Sequence, residues 1–479
     1  MKTKNLIKDT AWYGLSSAVS RVIMLTIIPI MVISLDVKEF GIVSLFQFYL
    51  GFGIIVFLCG MDQSLLRDIP TCGIHEKRIR FSTAIFLLIG LAVLTGMLVC
   101  LNADHLVQLF FKGADPKIVI WLWVIILTES LTLINSAVFR AEKKAAIYFR
   151  NTTLKFAFLL IAVYITLKKL QLGVEGVFIS YAIANTVYAL FSLPVWFRYF
   201  RIRFSSTILG SMLRYGLPLM PAILLTSLLF FADHYLIQQK MDLKAVGQYA
   251  FGYKFGAVLY YLIAGLNNAW YPRLFSMEKK LLEINYHRLL VGVAWISMAV
   301  FLIVDSVFRF FHPWFIPDAY TQSIPIISIV GLAYIIHNIA SFADCLFFYA
   351  KKVGYISIMV GIGLILNLSM NWILIPRIGI TGAALATLAA FIIYLILVLL
   401  FLKKLKIIPI HYGETSRLLI GFAILYGSSY LLKPNLFILR LLNLLAIILL
   451  FIILSWFLSP NFRKTARTIL TRIKKRISN

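Results

Sequence analysis

Apolar stretches long enough to cross a bilayer follow one another along almost the whole chain. A membrane-spanning helix needs about 20 consecutive residues that are mostly apolar. Fourteen stretches can be drawn, and the polar gaps between them are too short to hold a soluble domain. The chain is 61% hydrophobic and 14% charged, which excludes a soluble protein because too little polar surface remains to cover a core. We therefore predict an all-α polytopic membrane protein. The predicted spans are 12–35, 40–60, 81–101, 118–139, 152–168, 174–197, 215–239, 246–270, 289–311, 322–344, 354–375, 382–402, 417–432 and 436–458.

The chain carries 46 Lys and Arg against 19 Asp and Glu, for a net charge of +27. Such a charge would suit a nucleic-acid partner, but the basic residues lie mostly in alternate loops between the predicted spans. This alternation is typical of an inserted membrane protein, whose basic loops stay in the cytoplasm. The pattern predicts that both termini are cytoplasmic, that the basic tail contacts anionic membrane lipids, and that no nucleic acid is bound.

The four cysteines, Cys59, Cys72, Cys100 and Cys345, lie far apart and lack the spacing of metal ligands. His, Asp and Glu residues do not cluster at metal-ligand spacing either, and no Ser–His–Asp arrangement can be argued. The sequence therefore predicts no disulfide, no metal ion, no cofactor and no catalytic residue, and a protein that is not an enzyme.

The chain also contains an internal repeat. Residues 173–176 (Gly-Val-Glu-Gly) and 379–382 (Gly-Ile-Thr-Gly) open two apolar stretches 206 residues apart, and the same spacing relates Gly41 to Gly247. The spacing covers six predicted spans, an even number, so both copies enter the membrane from the same side as parallel repeats. Two such halves can rock about a site between them, which is typical of a transporter. The predicted parts are an N-terminal six-helix bundle at 1–200, a C-terminal six-helix bundle at 201–408, an appended hairpin at 409–458 and a basic cytoplasmic tail at 459–479.

Two basic residues within predicted spans are candidates for a substrate site. Arg21 lies near the middle of the first span, and Lys254 lies within the eighth. A cation at that depth costs about 2.5–3.5 kcal/mol even on the lenient insertion scales, so it should face a watery cavity or a carboxylate. Two cations from opposite halves could face one lumen, as an anionic substrate would require. The alternative is a buried ion pair with Asp233 or Asp62.

Four acidic residues are candidates for coupling to an ion or for pairing with a cation. Glu129, Asp233 and Asp305 lie within predicted spans, and Asp62 lies near a predicted helix end. A carboxylate in a site of low dielectric constant can take up a proton reversibly, which would couple transport to H⁺ or Na⁺. The alternative is that each acid neutralises a nearby Arg or Lys.

Arg67 and Arg273 follow the second and eighth predicted spans at matching places of the repeat. They suit positive anchors at the cytoplasmic surface. They could also meet phosphate at the cytoplasmic mouth, since Arg forms bidentate contacts with phosphate.

Prolines occur in the first predicted span of each half, at Pro29, Pro218 and Pro221. Proline removes a backbone hydrogen bond and kinks a helix. The sequence therefore predicts bends inside these spans, which would serve either a gate or a static shape.

Several short motifs recur along the chain in a fixed order and spacing. They are Tyr13-Gly14, Glu39-Phe40-Gly41, Gly60-Met61-Asp62-Gln63, Arg140-Ala141-Glu142-Lys143-Lys144 and the two Gly-x-x-Gly turns. Together they resemble the multidrug/oligosaccharidyl-lipid/polysaccharide exporter superfamily, and within it the bacterial polysaccharide-biosynthesis flippases of the Wzx type. The resemblance covers nearly the whole chain.

The resemblance implies two six-helix bundles around a V-shaped cavity in the bacterial inner membrane. It implies an undecaprenyl-pyrophosphate-linked oligosaccharide as substrate, moved to the outer leaflet for O-antigen, capsule or exopolysaccharide synthesis. A polysaccharide polymerase and a chain-length regulator are the implied partners. Members often carry Arg in helix 1 and a basic residue in helix 8, and Arg21 and Lys254 match these positions in kind.

Three other functions remain open. A lipid II flippase or a drug/cation antiporter would belong to the same superfamily, although organic cations favour an acidic cavity. A membrane polysaccharide polymerase is a rival from another class, but its usual long outer loop is absent from the predicted topology.

Overall fold

The computed structural model describes residues 2–261, 270, 274, 279–311, 316–407, 413–429 and 437–463. Regular secondary structure within these residues is helical. A π-helical turn lies at Ile165–Lys169, and short 3-10 turns lie at Leu217–Leu219 and Asp318–Ser323. The α-helices are α1 Lys2–Ser34, α2 Val37–Leu58, α3 Met61–Asp68, α4 Ile74–Phe110, α5 Lys117–Ala141, α6 Ala145–Tyr164, α7 Gly173–Tyr199, α8 Ser206–Gly216, α9 Met220–Lys240, α10 Leu243–Gly256, α11 Lys279–Phe311, α12 Ile324–Tyr349, α13 Gly354–Ile378, α14 Ile380–Lys404, α15 Gly413–Ser429 and α16 Phe437–Leu458.

In the described part of the chain, eleven helical stretches are long and apolar enough to cross a membrane. They correspond to predicted spans one to seven and nine to twelve, so the prediction of an all-α polytopic membrane protein is confirmed. The eighth predicted span begins in α10 and continues into residues outside the described ranges. The last two coincide with α15 and α16, and the full count of fourteen stays a prediction.

The prolines of the seventh predicted span lie elsewhere than expected. Pro218 lies in the 3-10 turn that separates α8 from α9, and Pro221 lies in the first turn of α9. Proline is tolerated at a helix start, where its missing N–H would have no helical partner. These two residues therefore mark a boundary between two helices within the apolar stretch Ser206–Lys240, whereas Pro29 lies inside α1.

The chain divides into two compact units, 1–250 and 251–479. In the first unit, α5 packs against α4 and α7, and α1 packs against α6. In the second unit, α14 packs against α12 and α13, and α11 packs against α15 and α16. The predicted domain boundaries at 200/201, 408/409 and 458/459 stay predictions.

The internal repeat recurs in the local backbone of the two units. Lys143 and Lys351 both have φ +57°, at the ends of α5 and α12 respectively. Each donates its N–H to a carbonyl three residues earlier, at 3.1 Å in both cases. Gly173 and Gly379 open α7 and α14 with φ +57° and +62°, a region that favours glycine. These turns into helices agree with the duplication read from the sequence.

Two glycines related by the repeat allow α2 and α10 to approach closely within the first unit. A Cβ atom on Gly41 would lie 2.0 Å from the carbonyl oxygen of Leu243, and one on Gly247 would lie 1.9 Å from that of Val37. Only glycine fits at such a distance, because small residues let helix backbones meet. The starts of α2 and α10 are thereby held side by side.

Glu414, at the start of α15, connects α15 to α11 and to the residues that follow α16. Its carboxylate accepts hydrogen bonds from Asn461 Nδ2 at 2.7 Å, from the Asn461 N–H at 3.0 Å and from the Ser459 hydroxyl, and lies 3.2 Å from His287 Nε2. Burial alone would raise the pKa of Glu414, but these hydrogen bonds outweigh it and lower the pKa. The charged carboxylate of Glu414 therefore stabilises the packing of α15 and α16.

Candidate functional site

The two predicted lumen cations lie in different units. Arg21 is half-buried in α1, in the first unit, and Lys254 is half-buried in α10, in the second. That they face one lumen stays a prediction.

The packing of α10 fixes the direction of Lys254 within the second unit. Gly252 and Gly256 lie against Ile326 and Val330 of α12, where added Cβ atoms would approach to 2.6 and 2.9 Å. A residue two positions along a helix is rotated by about 200°. Lys254 therefore lies on the face of α10 turned away from α12.

Glu129 forms an ion pair inside the first unit. Lys155 Nζ of α6 lies 2.6 Å from Glu129 Oε1 and 2.7 Å from Oε2 of α5. Lys155 is buried, and it lies three residues into the fifth predicted span. This contact favours the charge-pairing interpretation of Glu129. Lys155 was not among the predicted site residues, although a cation inside an apolar stretch is a signal for one.

Asp233 is buried in α9 among groups that donate hydrogen bonds. It accepts from the hydroxyl of Tyr249 and from the backbone N–H of His234 at 2.8 Å. The His234 ring nitrogen Nδ1 lies 2.7 Å from the same carboxylate. A histidine beside a carboxylate can hold or pass a proton, so this pair retains the ion-coupling interpretation.

Asp305 is buried in α11 at a junction of helices. Arg309 Nη2, one turn further along, lies 2.7 Å from it. The hydroxyls of Ser328 in α12 and Tyr426 in α15 also donate to it, the second at 3.2 Å. These contacts join three helices and favour a charge-pairing role for Asp305.

Arg67 lies in a polar cluster around Asp68, at the end of α3. The Arg67 Nε lies 2.5 Å from Asp68 Oδ1, and Arg80 Nη1 lies 2.6 Å from Oδ2. The Arg67 guanidinium also stacks over Tyr215 at 3.9 Å. The hydrogen bond to Asp68 raises the pKa of Arg67 above its ordinary value. Asp68 was not among the predicted site residues, because adjacent residues on a helix do not normally face each other.

The other predicted site residues are less informative. Asp62 accepts a hydrogen bond from Gln63 Nε2 at 2.7 Å, and Arg273 lies outside the described residues. Within the described ranges, no group of three or more His, Cys, Asp or Glu residues could hold a metal ion. The chemistry offered by the described site residues is therefore binding of charge and exchange of protons.

Solved structures share the fold of this chain. A lipid II flippase MurJ, in an inward closed conformation, matches with a TM-score of 0.72 and 14% identity, over 94% of this chain and 98% of that one. An inward-facing multidrug resistance MATE family transporter of the MOP superfamily matches with a TM-score of 0.63 and 16% identity, over 83% and 95%. A MOP superfamily transporter from Pyrococcus furiosus, whose binding pocket has reversed polarity, matches with a TM-score of 0.55 and 14% identity, over 83% and 96%.

No curated protein sequence matches the chain. The family model for "Polysaccharide biosynthesis protein" matches residues 6–278, which is more than half of the chain. The family and the fold together confirm the prediction of a transporter rather than an enzyme. The chain belongs to the polysaccharide biosynthesis protein family and has the fold of the MOP superfamily.

Proposed function

We propose that this protein flips undecaprenyl-pyrophosphate-linked oligosaccharide units from the cytoplasmic to the outer leaflet of the bacterial inner membrane. The observation that carries the proposal is the polysaccharide biosynthesis family match, combined with a fold shared with a lipid II flippase along nearly the whole chain. The units would supply O-antigen, capsule or exopolysaccharide, and a polymerase and chain-length regulator would act next.

The charges of the chain support an anionic substrate. A pyrophosphate cannot enter hydrocarbon without replacing its water shell, because burying an unpaired ion is very costly. Arg21 and Lys254 would supply fixed positive charge in its place, from the two halves of the repeat. Arg can form bidentate contacts with phosphate, whereas Lys acts as a point charge. The lipid tail would stay in the bilayer while the halves rock to expose the headgroup to each side in turn.

The ion pairs of the buried acids indicate which of them could carry a coupling ion. Glu129 and Asp305 are held by Lys155 and Arg309. A proton added to such a carboxylate would leave a buried cation without its partner, which is costly. Asp233, beside a histidine and a tyrosine hydroxyl, is the acid that we propose for coupling to H⁺ or Na⁺.

A lipid extraction from cells that lack this gene tests the proposal. We expect complete undecaprenyl-pyrophosphate-linked units to accumulate while the surface polysaccharide disappears, and the accumulated glycan would identify the substrate. Unchanged lipid-linked intermediates together with a raised sensitivity to cationic drugs would refute the proposal and favour a drug antiporter.

A lipid II flippase is the second candidate, because the MurJ structure is covered over 98% of its length. Expression of this chain in cells depleted of their own lipid II flippase separates the two. Rescue of growth would support lipid II as the substrate, and failure of well-expressed protein to rescue would leave the oligosaccharide flippase.

A further inference from the structure

A basic pocket of about 310 Å³ lies in the first unit, where α2, α9 and α10 meet the end of α4. Three lysines line it, and a single carboxylate lies among them. The remaining wall is made of one amide and two apolar side chains. The lining residues are Lys38, Lys112, Gln238, Met241, Asp242, Leu243 and Lys244.

The repeat explains why two of these lysines share one pocket. Lys38 and Lys244 occupy equivalent positions, 206 residues apart, one residue inside the starts of α2 and α10. The contact between Gly41 and Gly247 holds these two helix starts together. Asp242 caps the start of α10, since its Oδ1 accepts a hydrogen bond from the Ala245 N–H at 2.7 Å. The pocket is therefore lined by more positive than negative charge.

Gln238 supplies an independent sign that the pocket receives a ligand. The side chain is only 2% exposed, and neither of its amide atoms has a hydrogen-bond partner among the described residues. An amide that is buried without partners is costly, and native proteins rarely leave one. A ligand in the pocket would satisfy it, because the amide nitrogen donates and the carbonyl oxygen accepts.

We propose that this pocket binds the phosphate of a ligand that also carries hydroxyl groups. Lys38, Lys112 and Lys244 would meet the phosphate oxygens, and Gln238 would donate to phosphate and accept from a hydroxyl. The predicted topology places the three lysines on the outer side of the membrane. If the proposed flippase function holds, on which this assignment rests, the ligand is the pyrophosphate-linked sugar after it has crossed. A phospholipid headgroup carries the same chemistry and is the other source.

The test uses the full-length protein in nanodiscs of neutral phosphatidylcholine. Binding of undecaprenyl pyrophosphate and of inorganic pyrophosphate is measured by microscale thermophoresis, with and without phosphatidylglycerol in the disc. The variants are Lys38→Gln/Lys244→Gln and Gln238→Leu. The matched control is Lys117→Gln, which removes an exposed lysine at the start of α5 that does not line the pocket.

We expect each pocket variant to weaken pyrophosphate binding about tenfold, the scale of a lost charge-assisted hydrogen bond. The control should bind like the wild type, and Gln238→Leu should melt at or above the wild-type temperature because it removes an unsatisfied amide. If phosphatidylglycerol competes with pyrophosphate, the pocket is still a phosphate site, and its ligand is the phospholipid headgroup.

Equal affinity of the pocket variants and the wild type for both pyrophosphates would overturn the proposal, as would an equal loss in Lys117→Gln. These outcomes are independent of the gene-deletion experiment. A deletion strain that accumulates lipid-linked units while the pocket variants bind normally would refute the pocket alone. Pocket binding without such accumulation would refute the flippase function alone.

Discussion

The ion pair between Glu129 and Lys155 gives the sharpest prediction. Both side chains are largely inside the first unit, with exposures of 18% and 6%, and their charged atoms lie 2.6 Å apart. Glu129→Gln removes one charge and leaves the other buried without compensation. Breaking a buried ion pair in this way costs about 3–5 kcal/mol.

A loss of this size is measurable as a melting shift. A domain of 150–250 residues loses about 2–4 °C per kcal/mol, so we expect the variant to melt on the order of 10 °C lower in detergent. Thermal unfolding followed by tryptophan fluorescence and size-exclusion chromatography would report it. The control is Glu175→Gln, an exposed acid at the start of α7, which should shift the melting temperature little.

The double variant Glu129→Gln/Lys155→Met separates a structural role from a transport role. Removing both charges should restore most of the stability, because the desolvation cost of the pair disappears with its attraction. Normal surface polysaccharide in cells with this variant would show that the pair is structural, and lost export by a stable double variant would show a role in transport. A single variant as stable as the Glu175→Gln control would refute the reasoning.

The other predictions concern different parts of the fold. Arg21→Ala should abolish export while the protein still reaches the membrane, and normal export would remove Arg21 from the site. Lys254→Arg should retain more export than Lys254→Glu if charge matters, and equal loss would contradict this. Gly247→Val should lower the yield of folded protein on size-exclusion chromatography, since the added Cβ would lie 1.9 Å from a carbonyl oxygen. Because hydrogen bonds lower the pKa of Glu414, its contribution is complete above the ordinary value of 4.5 and is lost as the pH falls through the folded value. The melting difference between wild type and Glu414→Gln should therefore shrink below that pH, and a constant difference would contradict the assignment.

The length of the apolar stretches and the glycines at turns allow the helical fold to be predicted from the sequence. A span of about 20 apolar residues has few alternatives to a helix, because a bilayer leaves backbone groups no water to bond. Gly173 and Gly379 were readable for a similar reason, since their left-handed backbone favours one residue type. Pro218 was misread because apolar content does not distinguish a helix interior from the boundary between two helices.

Side-chain contacts between helices cannot be predicted from the sequence in the same way. Lys155 and Glu129 are 26 residues apart, and nothing local in the sequence places them on facing helices. Asp68 was overlooked beside Arg67, since adjacent residues on a helix do not normally face each other. Gln238 offered no signal at all, because an amide near a helix end is ordinary until its burial is known.

The duplication preserves the backbone and changes the chemistry inside it. The spacing that relates Lys143 to Lys351 also relates Glu129 to His337. Glu129 forms an ion pair in the first unit, whereas His337 lies in the second among aromatic rings, 4.7 Å from that of Phe391. The matching positions of α5 and α12 therefore hold an ion-paired carboxylate in one unit and an imidazole among aromatic rings in the other.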